Sequence, residues 1–143
     1  MIRTLFIAAG AVVMTASLAA AAPGDHFVEN WDLDEDGTVT LSEIETRRGD
    51  VFSAFDADQS GAIDAQEYLM FDEARENDMA NEEGQGQGGG LRRASRGMTL
   101  DFNDIDGNGE VSAEEFQTQA KAWLVMIDRD GSGDITTADF GRN

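Results

Sequence analysis

The 143-residue chain has no cysteine and a single histidine, His26. The absence of cysteine excludes disulfide bonds as a means of stabilising the fold. With one histidine, no thiol and no recognisable pairing of a nucleophile with a base, the sequence predicts a protein that is not an enzyme. We expect His26 to be an exposed residue near the start of the first helix rather than a ligand.

Positive charge is also scarce. Ten Lys and Arg stand against 29 Asp and Glu, so the formal net charge is −19 at pH 7. Such an acidic surface argues against nucleic acid and anionic membranes as partners. The one basic cluster, at residues 91–96, is interpreted as part of a solvated linker that softens the local acidity.

The first 21 residues follow the pattern of a secretory signal peptide. A positive region at Arg3 precedes an apolar stretch over residues 4–18, and three alanines at 19–21 offer a cleavage site. A membrane anchor is disfavoured because the apolar run is short and rich in small residues. We predict a periplasmic or secreted mature chain, residues 22–143, without stable membrane association.

A twelve-residue acidic pattern occurs four times, beginning at Asp32, Asp56, Asp104 and Asp128. Each copy has acids at positions 1, 3 and 12, an oxygen-bearing side chain at position 5, glycine at 6 and a β-branched residue at 8. This arrangement predicts a loop that surrounds a hard cation with oxygen ligands. The β-branched residue suits a short strand that bridges two paired loops.

The predicted ligands are the side chains at positions 1, 3, 5, 9 and 12 and the backbone carbonyl at position 7. In loop 1 they belong to Asp32, Asp34, Asp36, Thr38, Thr40 and Glu43. In loop 2 they belong to Asp56, Asp58, Ser60, Ala62, Asp64 and Glu67. In loop 3 they belong to Asp104, Asp106, Asn108, Glu110, Ser112 and Glu115. In loop 4 they belong to Asp128, Asp130, Ser132, Asp134, Thr136 and Asp139.

The four loops differ in charge. Loops 1 and 2 each place four carboxylates at ligand positions, whereas loops 3 and 4 each place three. Asp139 is one methylene shorter than glutamate, so we expect it to offer one oxygen and loop 4 to bind calcium most weakly. Without metal the carboxylates repel one another, and metal binding is therefore expected to be coupled to folding.

These loops resemble those of the EF-hand family of calcium-binding proteins. The resemblance implies an all-α fold of EF-hand pairs, in which four helix-loop-helix units share short helices and two-residue strands join the loops. The 24-residue spacing and the signal peptide are also similar to the lanmodulin family of periplasmic lanthanide-binding proteins. Lanmodulin loops carry proline at position 2, where this chain has Leu33, Ala57, Ile105 and Arg129.

Consecutive loops are separated by 12 residues in each half of the chain, which is room for one helix of about 18 Å. In the second half the apolar spacing favours a single helix. Its predicted face consists of Phe116, Ala120, Trp123, Leu124 and Ile127. In the first half Gly49 and Asp50 read as a C-cap followed by an N-cap, which favours a kinked helix.

The loops and the composition predict a signal peptide at residues 1–21 and a first EF-hand pair at 22–75. A Gly- and Gln-rich segment at 76–97 is expected to be a flexible linker, and a second pair occupies 98–143. From the sequence we expect an exported calcium buffer or sensor with up to four calcium sites.

Two alternatives remain open at this point. One is a protein that binds lanthanide(III) ions. The other is a calcium-dependent interaction module that binds a protein partner through an apolar groove. Four methionines of the mature chain are candidates for such a groove: Met70, Met79, Met98 and Met126.

Overall fold

The computed structural model describes residues 22–82 and 89–141. The predicted signal peptide therefore lies outside the described residues. The helices are α1 (Asp25–Trp31), α2 (Leu41–Phe55), α3 (Ala65–Glu82), α4 (Gly89–Arg96), α5 (Leu100–Asn103), α6 (Ala113–Thr118) and α7 (Ala120–Ile127). The remaining elements are strands β1 (Ala62–Ile63) and β2 (Val111–Ser112) and a 3-10 helix, Thr137–Phe140.

Each acidic loop lies between an entering and an exiting helix, which confirms the predicted helical fold class. Loop positions 9 and 12 also start the exiting helix in all four loops. Thr40 caps α2 while the Glu43 side chain accepts from the Thr40 backbone, and Ser112 with Glu115 repeats this capping box at α6. Ligand chemistry and helix initiation thus use the same residues.

The two helical connections between consecutive loops differ from the prediction. Helix α2 runs without interruption through Gly49, because buried Ile44, Arg48 and Phe52 fall on one face at four-residue spacing. The second connection is instead divided at Gln119 into α6 and α7. The predicted single helix is therefore wrong for the second half, although every residue of its predicted apolar face is buried.

The loops pair across the two halves of the chain. Strand β1 of loop 2 pairs antiparallel with β2 of loop 3, and Val39 of loop 1 forms a bridge with Ile135 of loop 4. Consecutive loops do not form these pairs, contrary to the predicted grouping. The physical reason is α2, whose 15 residues form a rod of about 22 Å that holds loops 1 and 2 at opposite ends.

The buried apolar side chains form one cluster that draws on both halves of the chain. Its centre includes the position-8 residues of all four loops, each with no exposed surface: Val39, Ile63, Val111 and Ile135. Helix α2 packs against both α6 and α7, so the second half of the chain covers the first. Met70, in contrast, is 53% exposed and lies outside this core.

The predicted linker is helical over much of its length. Helix α3 continues to residue 82 and α4 occupies residues 89–96, with Leu91 and Ala94 buried against the core. The prediction of a flexible linker is therefore wrong for these residues, and residues 83–88 lie outside the described part. Among the described helices, none combines the length and the apolarity needed to span a membrane.

Candidate metal centres

Each loop brings three carboxylates together, with one oxygen from each within 4.8 Å of the others. The four clusters are Asp32, Asp34 and Asp36; Asp56, Asp58 and Glu67; Asp104, Asp106 and Glu115; and Asp128, Asp130 and Asp139. The predicted carboxylate ligands outside these clusters are Glu43 and Asp64. Asp64 accepts hydrogen bonds from the N–H groups of Gln66 and Glu67, at 2.8 Å each, and so caps α3.

The position-1 aspartate organises each loop through the glycine at position 6. One carboxylate oxygen accepts a hydrogen bond from that glycine N–H, at 2.7 Å in loop 1, 3.0 Å in loop 2, 2.9 Å in loop 3 and 2.8 Å in loop 4. The glycines adopt φ values between 88° and 97°, a backbone conformation that a side chain would disfavour. They are Gly37, Gly61, Gly109 and Gly133.

The position-12 carboxylate closes each loop from the other end. In loop 1, Glu43 Oε1 accepts from the Leu33 N–H at 2.7 Å and Oε2 accepts from the Thr40 N–H at 2.8 Å. Desolvation raises the pKa of Glu43, but the hydrogen bonds from Thr40, Leu33 and Asp34 outweigh it and lower the pKa overall. These bonds keep the carboxylate ionised, which is the form that binds a cation.

Loop 4 reproduces this closure with its shorter residue. Asp139 is 1% exposed, and its two oxygens accept from the N–H groups of Arg129 and Thr136, at 2.8 Å each. The exit of loop 4 is a tight 3-10 turn rather than an α-helix. Both oxygens of Asp139 are therefore engaged within the loop, and one-oxygen binding of a metal stays a prediction.

Crowded negative charge makes loop 1 a candidate cation site. The pKa of Asp34 is raised by desolvation and then by the charges of Asp36, Glu43 and Asp32, against a hydrogen bond from the Asp36 N–H that lowers it. A bound cation would relieve that repulsion. The donor set contains only oxygen, so the residues fit a hard ion such as calcium rather than a thiolate- or imidazole-seeking metal.

A comparison with known protein families matches two of the four loops described above. Residues 49–72 and 99–118 match the family model described as EF hand. These two regions belong to the EF-hand family. The matched regions contain loops 2 and 3, which are also the two loops joined by the β1–β2 strand pair. An EF-hand match implies calcium binding in these two regions. No curated protein matches the chain.

The EF-hand loops contain a second conformational requirement, at position 4. Glu35 in loop 1 and Gln59 in loop 2 adopt φ values of 60° and 58°, in the left-handed region. Loops 3 and 4 have Gly107 and Gly131 at this position, with φ values of 72° and 73°. Two glycines at one loop position are a signal in the sequence that could have revealed this turn.

A buried arginine near the EF-hand loops has no equivalent in the predicted ligand pattern. Arg48 is fully buried, and it donates from Nε to the Phe116 carbonyl at 2.9 Å and from Nη1 to the Gly97 carbonyl at 3.3 Å. A third hydrogen bond runs from Nη2 to Oδ1 of Asn103. The guanidinium also lies 3.9 Å from the centroid of the Phe116 ring, a cation–π contact.

The partners of Arg48 lie beside predicted metal ligands. Asn103 directly precedes Asp104, the first ligand of loop 3, and also donates to the hydroxyl of Tyr68 at 3.4 Å. Tyr68 directly follows Glu67, the last ligand of loop 2. A single buried network therefore joins α2 to the two strand-paired EF-hand loops.

A cavity of about 400 Å³ lies among α1, α2, α3 and α4. Its lining is largely apolar and includes Trp31, Phe55, Phe71 and Trp123. Met79 and Met98 also line it, so two of the four candidate groove methionines reach this cavity.

Proposed function

We propose that this EF-hand protein is an exported calcium buffer or sensor whose folding is coupled to metal binding. The observation that carries the proposal is that every loop gathers three carboxylates, and that in every loop the position-1 aspartate accepts a hydrogen bond from the position-6 glycine. A solvated acidic turn does not require three converging carboxylates and a glycine at a fixed position, repeated four times.

Coupling to folding follows from where the carboxylates lie. The chain carries a formal charge of −19, and its loops concentrate negative groups within a few ångströms of one another. Cations would remove this repulsion and, at the same time, tie the helix on each side of a loop to common ligands. The metal-free chain is accordingly proposed to be looser than the metal-loaded chain.

The test is a titration of metal-free protein comprising residues 22–143. Calcium is followed by Trp fluorescence and far-ultraviolet circular dichroism, and terbium by its sensitised emission. Ordered folding by micromolar to millimolar calcium, the range of known EF-hand sensors and extracellular modules, supports the proposal. Absence of any response to either ion would overturn it.

Lanthanide binding is the second candidate, supported by the four carboxylates at ligand positions in each of loops 1 and 2. A trivalent ion gains more than calcium from every added carboxylate. The same titration separates the candidates. Terbium that stays bound in millimolar calcium favours a lanthanide protein, whereas terbium displaced by calcium favours a calcium protein.

The apolar cavity supports a third candidate, a metal-dependent interaction module. A cavity of about 400 Å³ is within the size range of ligand sites. An apolar dye whose emission rises on calcium addition to the wild type would support an apolar site that depends on metal. Equal dye emission with and without calcium would contradict it.

Export is proposed from residues 1–21. The experiment is expression of the full chain followed by cell fractionation and intact-mass analysis. An exported product that lacks the first 21 residues is expected, and a full-length product retained in the cytoplasm would contradict export.

A further inference from the structure

We infer that helix α4 takes the place of an exiting helix for loop 4 and that Arg93 is a positioning residue for the ligand Asp139. This inference rests on the proposed metal-binding function and adds a role for the basic cluster at residues 91–96. In the described residues, loop 4 is followed only by the four-residue 3-10 helix, whereas loop 1 is followed by the 15-residue α2.

The first contact joins Arg93 to the ligand's own backbone. Arg93 Nη2 donates a hydrogen bond to the backbone carbonyl of Asp139 at 2.9 Å. The carboxylate of Asp139 is meanwhile held by loop amides at its other end. Arg93 therefore fixes the main chain from which the position-12 side chain projects, and it leaves both carboxylate oxygens to the loop.

The second contact packs α4 against Phe140, the residue that follows Asp139. Phe140 is 1% exposed. Gly90 of α4 approaches it so closely that an added Cβ would lie 2.5 Å from Phe140 Cδ1 and 2.8 Å from its Cα. On the other side, the Phe27 ring lies 5.1 Å from the Phe140 ring, measured between centroids. Phe140 is thus packed between α1 and α4.

The third contact anchors α4 itself. Trp123 of α7, the helix that enters loop 4, donates from Nε1 to the Ala94 carbonyl at 2.9 Å. A Cβ on Gly97 would overlap the Trp123 indole, so glycine is required for this approach. Helix α4 therefore contacts both α7, the entering helix of loop 4, and the 3-10 exit of that loop. It packs where loop 4 has no α-helical exit of its own.

The charge of Arg93 and its hydrogen bond should have opposite effects on metal binding at loop 4, so a substitution can distinguish them. A cationic side chain near a cation site opposes metal binding by electrostatic repulsion. Loss of that charge alone would strengthen binding at loop 4. Loss of the hydrogen bond that positions Asp139 would weaken it, and we infer that positioning prevails.

The experiment is a calcium titration of full-length Arg93→Gln and wild-type protein, followed by ¹⁵N NMR of the position-6 glycine amides. Each amide donates to the first aspartate of its own loop, so Gly133 reports loop 4 while Gly61 and Gly109 report loops 2 and 3. We expect the calcium affinity read at Gly133 to fall about tenfold, with Gly61 and Gly109 unchanged. Arg93→Lys, which keeps the charge and one donor, should recover part of the loss.

The control is Arg92→Gln, which removes the same charge from the exposed face of α4. It should leave the Gly133 affinity unchanged or slightly raised. If Arg93→Gln behaves like Arg92→Gln, or if it lowers the affinity at all four glycines equally, the inference is wrong. If no glycine amide of the wild type responds to calcium, it is the proposed function that fails.

If Arg93→Gln does not fold, Gly90→Ala tests the role of α4 at loop 4 without a change of charge. Its Cβ would press on Phe140 and move α4, so the affinity at Gly133 should again fall selectively. Gly49→Ala is the matched control, because its Cβ would meet only the flexible Gln117 Nε2, at 3.3 Å. Equal Gly133 affinities in the two alanine variants would overturn the inference.

Discussion

Arg48 on α2 donates a hydrogen bond to the side chain of Asn103, the residue that directly precedes the first predicted ligand of loop 3. Both residues have no exposed surface. Burial without a carboxylate partner lowers the pKa of Arg48 to about 10, and three hydrogen bonds with a cation–π contact compensate for the lost hydration. These contacts hold α2, the helix shared by loops 1 and 2, against the start of loop 3.

The first prediction concerns the buried hydrogen bonds of Arg48. Arg48→Met should destabilise the fold by about 2–4 kcal/mol, because the Phe116 carbonyl and Asn103 Oδ1 lose their donor in a buried site. The measurement is the free energy of unfolding in denaturant at saturating calcium. Arg47→Met is the control, since Arg47 makes an exposed hydrogen bond to the Asn30 carbonyl and should cost less than about 1 kcal/mol. Equal losses in the two variants would contradict the role of Arg48.

The second prediction is a displaced titration of Tyr68, the one tyrosine in the chain. Desolvation raises its pKa to about 12, against opposing contributions from Asn103 and Arg48. Because the folded pKa exceeds the unfolded value of about 10, this group stabilises the fold below pH 10, and the contribution is lost as pH rises from about 10 towards 12. The lowered pKa of Arg48 acts in the opposite sense over the same range.

Phenolate absorbance therefore reports Tyr68 more cleanly than stability does. The native chain should show a midpoint near 12, and the chain in denaturant should show one near 10. A midpoint near 10 while circular dichroism remains native would show that Tyr68 is not buried as described.

The third prediction concerns cooperativity between loops. Glu67→Gln in loop 2 should weaken calcium binding at loop 3, its strand partner, by about tenfold. Binding at loop 1 should change less, although loop 1 is the nearer neighbour in sequence. The readings are the calcium midpoints of the Gly109 and Gly37 amides. A larger effect at loop 1 than at loop 3 would favour coupling through the shared helix α2 over coupling through the strands.

The fourth prediction concerns backbone strain at position 4. Gln59→Gly should stabilise the protein by about 1 kcal/mol, because Gln59 occupies the left-handed region at a φ of 58°. The reverse change in loop 3, Gly107→Ala, should cost a similar amount. No atom lies within 4 Å of a Cβ built on Gly107, so backbone conformation alone would be tested. Thermal denaturation of both variants is the measurement, and a destabilised Gln59→Gly would contradict the prediction.

Local chemistry explains what could be predicted from the sequence. Ligand spacing, the glycine at position 6 and the β-branched residue at position 8 all act within twelve consecutive residues, so they identify the loops directly. The buried face of residues 116–127 was likewise predictable from periodicity. The break at Gln119 was not, because it accompanies a contact distant in sequence: the Gln119 side chain donates to the Phe102 carbonyl.

The sequence by itself determined four cation-type loops and the apolar faces of the helices, since these depend on residues close together in the chain. Tertiary structure decided which loops pair, because α2 holds loops 1 and 2 at its opposite ends and each of them pairs with a loop from the other half of the chain. It also decided the place of Arg48 and Arg93. The residues next to these arginines give no signal of their partners, because Asn103 lies 55 residues from Arg48 and Asp139 lies 46 residues from Arg93.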